Sequence, residues 1–435
     1  MQTLEQLRSG ALIGTRRLDL SCGLETLPPE VFDLADTLEV LNLSNNRLSA
    51  LPLELARLPK LKVIFCSNNP FTHLPEVLGD CAALEQVGFK ACRIAHVPGA
   101  ALPPRLRWLT LTDNAISQLP PEVGQRPALQ KLMLAGNRLR GLPAGLADAQ
   151  NLELLRLSAN QFAHLPGWLT ELPRLAWLAL AGNPLGWHRA ESAPMARLSW
   201  AQLQVDGLLG EGASGHIYRV HQAGSTEGLA LKLFKGAVTS DGLPEHELAA
   251  CLAAGQHPAL CTPNAELTDH PQGTTGLLLP LIPPHYANLA GPPSLDRCTR
   301  DVYASGLRIP VPAVMRLAQD MAQALAHLHR RGVMHGDFYA HNILWDPITG
   351  QALLSDFGAG TLLPMDQPAL SRALQALEVR AFGYLLEESV AHAVVQDAAD
   401  AGRLAAVNTL AQACLRTKPA ERPVMADVRD RLAGL

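Results

Sequence analysis

The chain has 435 residues, 48% of them hydrophobic and 17% charged, with a formal net charge of -4. That length exceeds one ordinary core and predicts two or three globular domains. The mild acidity, with no dense Lys/Arg stripe, excludes nucleic acid and anionic membrane as partners attracted by charge.

The first stretch, MQTLEQLRSGALIGTRRLDL, has no apolar core of signal-peptide length, and nowhere does an uncharged apolar run reach membrane-spanning length. A cytoplasmic protein is expected, with secretion as an effector left open. Eight cysteines, at positions 22, 66, 81, 92, 251, 261, 298 and 414, form no C-x-x-C pair. They read as small buried hydrophobes in a reducing compartment.

An internal period dominates the first half. Leu38, Leu61, Leu84, Leu106, Leu129, Leu152 and Leu175 open the pattern L-x-x-L-x-L-x-x-N-x-L at near-constant intervals, within the range of stacked-repeat architectures. Eight positions after each opener stands Asn46, Asn69, Cys92, Asn114, Asn137, Asn160 or Asn183, and a shortened first copy, LDLSCGLETLPPE, starts the series. Each copy predicts one short parallel strand with inward leucines, its asparagine bonding backbone groups that the turn would leave unpaired. No copy can hide its apolar face alone, so the copies must stack.

These residues resemble the leucine-rich-repeat family, which implies an α/β solenoid of about eight repeats over residues 1–185. On its concave face the positions between the leucines include Phe65, Trp108, Met133, Leu154 and Trp177. Exposed together, they would form an apolar patch for a protein substrate or regulator. The competing reading is that these rings pack inside the protein. Residues 186–202 are read as a short linker with neither a Gly/Ser tract nor an apolar span.

From Leu203 the chain carries GEGASGHIY, LALKLFK, EHELAACLAA, GLLLPLIPP, VMHGDFYAHNILW, LLSDFGAG and CLRTKPAERP, in that order. A lone G-x-G-x-x-G is weak, since dinucleotide-binding turns share it. Here an apolar strand, IYRVHQ, follows it rather than a helix, and an amphipathic helix, VPAVMRLAQDMAQALAHLH, precedes the Asp337 motif.

The set resembles the eukaryotic-like protein kinases, so residues 203–435 are expected to adopt the bilobal α+β kinase-like fold. The full chain then resembles a bacterial leucine-rich-repeat protein kinase. The resemblance implies ATP and Mg2+ (or Mn2+) as cofactors. It puts Gly210, Gly212 and Gly215 over the phosphates, Lys232 on the α- and β-phosphates with Glu247 as its ion-pair partner (Glu245 the alternative), and Ile217, Ala230 and Leu344 around the base. Leu279 would be gatekeeper, Pro280 would offer the hinge carbonyl and Ile282 the hinge N–H. Asp337 would accept the acceptor hydroxyl's proton, while Asn342 and Asp356 would hold metal.

Four departures temper this. Gly336 replaces the Arg of the catalytic motif. Tyr339 stands where a lysine faces the γ-phosphate, which leaves His341, immediately before Asn342, as an imidazolium that could do that work. The stretch from Asp356 to LEVRAFGYLL, read as the start of a long helix, is short and holds no A-P-E; and Glu378 replaces an aspartate in that helix. Acceptor type is open among Ser, Thr and Tyr. Small-molecule phosphotransferases of the aminoglycoside and choline kinase type share H-G-D-x-x-x-x-N and the missing A-P-E, and a scaffold with an inactive kinase lobe is the third reading.

Overall fold

Three inward-pointing apolar residues per repeat are enough for one very short strand. The computed structural model describes residues 2–187, 195–212, 215–225, 227–235, 238–239 and 241–435. After a first helix, α1 (Leu4–Arg8), come β1 (Arg17–Asp19), β2 (Val40–Asn42), β3 (Val63–Phe65), β4 (Gln86–Gly88), β5 (Trp108–Thr110), β6 (Lys131–Met133) and β7 (Leu154–Arg156). They pair in parallel in chain order. Their central residues, Leu18, Leu41, Ile64, Val87, Leu109, Leu132 and Leu155, are at most 1% exposed.

The asparagines form a ladder. Asn69 Nδ2 donates to the carbonyls of Leu43 (2.9 Å) and Cys66 (3.0 Å), and its Oδ1 accepts from Leu48 N–H at 2.9 Å. Asn46, Asn114, Asn137 and Asn160 make the same double donation. At Cys92 the rung is weaker, since Sγ reaches the Cys66 carbonyl only at 3.5 Å.

The chain divides into two units, one of Met1–Arg174 with Asn183–Leu185, the other of Leu175–Gly182 with Gly186–Leu435. The last repeat's strand, β8 (Trp177–Ala179), is therefore part of the second unit. So is β9 (Ala196–Ser199), which lies inside the stretch read as linker and pairs in parallel with β13 (Ala265–Thr268). Backbone pairing to an edge strand carries little sequence signal, which is why a linker reading missed it. Residues 188–194 of that stretch lie outside the described residues.

The second unit has an antiparallel core sheet. Its strands are β10 (Leu203–Glu211), β11 (Gly215–Gln222), β12 (Gly228–Phe234), β14 (Gly276–Pro280) and β13, in that order, with β9 at the edge. Helix α2 (Pro244–Ala254) starts on a proline in its first turn and ends at Gly255, whose φ of 65° suits glycine. Helix α3 (Val311–Arg330) buries Val314, Leu317, Met321, Leu325 and Leu328, the spacing of one helical face.

Three small sheets follow. β15 (Ala287–Asn288) joins β18 (Ile343–Trp345) and β19 (Ala352–Leu354); β16 (Ile309–Pro310) joins β21 (Ala393–Val394); β17 (Val333–Met334) joins β20 (Thr361–Leu362). Helices α4 (Pro368–Ala391), α5 (Ala398–Cys414) and α6 (Met425–Ala433) complete the unit. Helix α4 begins before LEVRAFGYLL, so Glu378 lies mid-helix rather than near its start. Pro368 opens the helix, and Ser371, Leu374 and Leu377 give its early turns a buried face. Among the described residues no helix is long and apolar enough to cross a membrane.

Two expectations for the concave face need correction. Trp177 is 2% exposed, because its ring stacks on Tyr339 (centroids 4.1 Å apart, planes at 7°) and lies 5.5 Å from Tyr384. Leu154 is buried as well, at 3%. Phe65, Trp108 and Met133 are half-buried. The Trp108 ring meets Phe65 edge-on at 6.4 Å, carries the Lys131 ammonium at 4.0 Å, and donates Nε1–H to Thr110 Oγ1.

Candidate active site

A strand-turn-strand backbone can approach a polyanion closely only where side chains are absent. In the β10–β11 hairpin Gly212 N–H donates to the Gly215 carbonyl at 2.9 Å. A Cβ on Gly210 or Gly212 would meet nothing within 4 Å, whereas one on Gly215 would lie 2.3 Å from the Leu233 carbonyl. The first two glycines therefore leave open space and the third permits close strand packing. Ala213 and Ser214 at the turn lie outside the described residues. Lys235 closes on this turn, its Nζ bonding Glu211 (2.5 Å) and the Gly212 carbonyl (3.0 Å).

Below the hairpin is a cleft of about 410 Å3. Its walls include the sequence-predicted Gly212, Gly215, Ile217, Ala230, Lys232, Glu247, Leu279, Pro280, Ile282, His341, Asn342, Leu344 and Asp356. Cys251, Leu277 and Phe357, which lie inside the quoted motifs but were given no role, also line it, as does Cys261, which no motif marks. Gly210 and Asp337 are not among its walls. The volume and the largely apolar lining with a few charged groups suit one small ligand.

At its polar end Lys232 Nζ meets Glu247 Oε1 at 2.5 Å and Asp356 Oδ1 at 3.8 Å. Lys232 is 8% exposed and Glu247 5%. Burial pushes the ammonium's pKa down, but the charges of Asp356 and Glu247 outweigh it and raise the Lys232 pKa, so the cation is held. Asp356 has a φ of 57°, a left-handed conformation that aspartate tolerates better than most residues.

Asp337 and Asn342 come together across a short helical turn at Ala340–Asn342. Asn342 Nδ2 donates to the Asp337 carbonyl (2.9 Å) and to its Oδ2 (2.8 Å). Ser355 Oγ in turn donates to the Asn342 carbonyl at 2.8 Å. Because the amide nitrogen of Asn342 makes both bonds, its Oδ1 is the atom that could meet a cation. With the Asp356 carboxylate it makes a pair of hard oxygen donors, which fits Mg2+ or Mn2+ sharing phosphate oxygens.

His341 is 21% exposed at its side chain, and its Nδ1 lies 2.7 Å from Oδ1 of buried Asp301, whose Oδ2 accepts His341 N–H at 3.1 Å. Burial pushes the imidazole's pKa down, yet the Asp301 bond and charge, aided by Asp337 and Asp356, raise it overall. Its partner is thus a carboxylate far upstream in the chain, which no motif marks.

Gly336 has a φ of 74°, and a Cβ there would lie 2.7 Å from the carbonyl oxygens of both Ala359 and Leu178. No arginine fits that position. Glu378 replaces the expected aspartate, its Oε1 accepting Gly336 N–H at 2.8 Å and its Oε2 meeting His329 Nε2 at 2.8 Å. Arg422, 1% exposed, donates to the carbonyls of Arg416 and Ala376.

A glycine hairpin, a cleft, a buried Lys–Glu pair and the Asp337, Asn342 and Asp356 side chains thus lie together in one unit, in the arrangement expected of a protein kinase domain. Comparison with known proteins agrees. Residues 203–400 match the Protein kinase domain family, residues 104–162 and 127–185 match the Leucine rich repeat family, and residues 36–76 match the two-copy Leucine Rich repeats family. The chain is multidomain and carries leucine-rich repeats fused to a protein kinase domain.

Similar curated proteins are eukaryotic. The probable inactive serine/threonine-protein kinase roco10 of Dictyostelium discoideum is 32% identical over 118 residues, 26% of this chain and 4% of that protein. Cyclin-dependent kinase B2-1 of Arabidopsis thaliana is 24% identical over 185 residues, 41% of this chain and 56% of that protein. Serine/threonine-protein kinase SBK2 of Rattus norvegicus is 27% identical over 167 residues, 37% of this chain and 42% of that protein. The chain thus spans little more than half the length of these relatives at most.

Proposed function

We propose that this protein is an ATP-dependent protein kinase that transfers the γ-phosphate to Ser/Thr (or Tyr) hydroxyls of proteins, with the repeats recruiting a substrate or regulator. The observation that carries this reading is the Lys232–Glu247 pair at 2.5 Å, within 3.8 Å of Asp356. Family resemblance to serine/threonine kinases supports the acceptor class.

In this reading Lys232, held as a cation by Glu247 and Asp356, grips the α- and β-phosphates. Asn342 and Asp356 would hold Mg2+ or Mn2+, which when bound neutralises charge on the phosphates. Asp337, oriented by Asn342 Nδ2, aligns the acceptor hydroxyl and takes its proton. Ile217, Ala230 and Leu344 cover the base, and the Pro280 carbonyl and Ile282 N–H meet its edge. His341 supplies positive charge beside the γ-phosphate in place of the missing lysine. On the repeats, Phe65, Trp108 and Met133 offer half-buried apolar contacts to a partner.

A second reading draws on the activation segment, which runs only from Asp356 to the start of α4 at Pro368 and favours a small acceptor. Incubating the protein with Mg-ATP, alone and with protein, aminoglycoside or choline acceptors, separates the two by where phosphate appears. Lys232→Met and Asp337→Asn should each reduce protein phosphorylation at least about a hundredfold. An Asp337→Asn protein with wild-type turnover would refute the catalytic assignment.

A further inference from the structure

The segment Leu175–Gly182 touches each part of the site that must be aligned. Trp177 Nε1–H donates to the Phe338 carbonyl at 2.9 Å, and its ring lies parallel on Tyr339 at 4.1 Å. Tyr339 in turn lies 5.0 Å from the His341 ring, so three rings run in series toward the phosphate end of the cleft. Next along the strand, the Leu178 carbonyl fills the space that a side chain at position 336 would need. Leu180 N–H donates to Oγ1 of Thr361 in the activation segment at 3.1 Å. Gly182 passes so close to His246, the neighbour of Glu247 on α2, that an added Cβ would meet the imidazole at 2.2 Å.

Seen from the site, two departures from the kinase motifs answer to this segment. Gly336, with its φ of 74°, leaves room for the carbonyls of both Leu178 and Ala359, and Tyr339 is the platform for Trp177. The activation segment also has no surface hydroxyl for a phosphate switch. From Asp356 to Gln367 the one Ser or Thr is Thr361, which is 2% exposed and bonded to Leu180. Alignment that phosphorylation supplies elsewhere has here a covalently attached strand to supply it.

We propose that Leu175–Gly182 is a built-in brace of the phosphotransfer site, and that Trp177 is a positioning residue that sets the catalytic loop through Tyr339 and the Phe338 carbonyl. The brace keeps the loop and the activation segment aligned without a modification step. It serves the kinase reading above, but its mechanical content stands apart from it.

The test uses the full chain as wild type, Trp177→Phe, Trp177→Leu and Leu432→Ala, the last a fully buried position in α6 whose truncation should itself lower thermal stability. Two readouts are taken: kcat and KM for ATP, and deuterium uptake by peptides spanning 335–342 and 356–362. Trp177→Leu should lower kcat about tenfold or more with KM for ATP within about twofold, and speed exchange in both peptides, as loss of a positioning contact does. Trp177→Phe, which keeps a stacking ring, should restore most of both. Leu432→Ala should match wild type in kcat and in both peptides. Wild-type kcat or exchange in Trp177→Leu, no rescue by Phe, or the same changes in Leu432→Ala would overturn the brace. Should the wild type bind ATP yet transfer nothing, the kinase reading fails, and the exchange data alone decide on the brace.

Discussion

Glu378 and Gly336 are joined by a 2.8 Å hydrogen bond in which a mid-helix carboxylate accepts the backbone N–H next to Asp337. The second carboxylate oxygen meets His329, and Glu378 is 1% exposed. A glutamate therefore serves where an aspartate was expected, its two carboxylate oxygens meeting Gly336 and His329. Glu378→Ala should lower unfolding stability by about 3 kcal/mol, since it strips both buried partners at once. Glu378→Gln, which can still accept from Gly336, should lose less than half of that. Urea denaturation of the two variants checks the order, and equal losses would mean that the Gly336 bond contributes nothing.

The solenoid is legible in the sequence because each repeat solves the same local problem with the same residues, so period and asparagine position determine strand and ladder together. That Lys232 would lie near Asp356, and Asp337 beside Asn342, is legible for a related reason, since the order and spacing of the motifs resemble those of protein kinases. What is not legible depends on contacts distant in the chain. Trp108 and Trp177 occupy equivalent repeat positions, yet only Trp177 is buried against Tyr339 and Tyr384, which come from the far end of the sequence. Asp301 lies in a segment without periodicity, and only the fold reveals it as the partner of His341.

Cys92 interrupts the asparagine ladder with a thiol, a weak donor whose sulfur lies 3.5 Å from the Cys66 carbonyl and 3.6 Å from that of Lys90, where the asparagines donate to two at about 2.9 Å. Its neighbours above and below retain the geometry that accommodates an amide. Cys92→Asn should therefore stabilise the repeats by about 1 kcal/mol, the net gain of a typical buried hydrogen bond. A raised melting temperature of the full chain is the expected result; a lowered one would mean that the strand here has closed around sulfur.

Burial holds most of the thiols protonated. It pushes Cys81 and Cys261 up to about 11 and Cys414 up to about 12, while Cys22 is exposed. At pH 8 a disulfide reagent should titrate about one thiol rapidly in the native protein and the remainder only after unfolding, because thiolate is the reactive form. The linkage has a definite sign. These groups keep their protons in the folded state to a higher pH than in the unfolded chain, so their contribution to stability is intact below about pH 9 and is lost as pH rises toward about 11. Rapid labelling of three or more thiols at pH 8 would contradict the burial.

His341 offers the sharpest test of how the site manages without the usual lysine. Its imidazole lines the cleft and is gripped by Asp301 on one nitrogen, which leaves Nε2 as the edge able to face a phosphate. If it supplies charge to the γ-phosphate, His341→Arg should keep activity within about tenfold, while His341→Ala should lose roughly ten- to a thousandfold in turnover, the range for removing one charge-stabilising donor. The alanine variant also strands the Asp301 carboxylate, whose side chain is only 1% exposed, at a cost of about 3 kcal/mol or more. Turnover therefore needs to be read well below the melting temperature of each variant, alongside the double change His341→Ala with Asp301→Asn. That pair removes the stranded charge and should recover stability while remaining catalytically poor. Recovery of turnover together with stability would assign His341 a purely structural part, and the γ-phosphate would then need its positive charge from Lys232 and the metal alone.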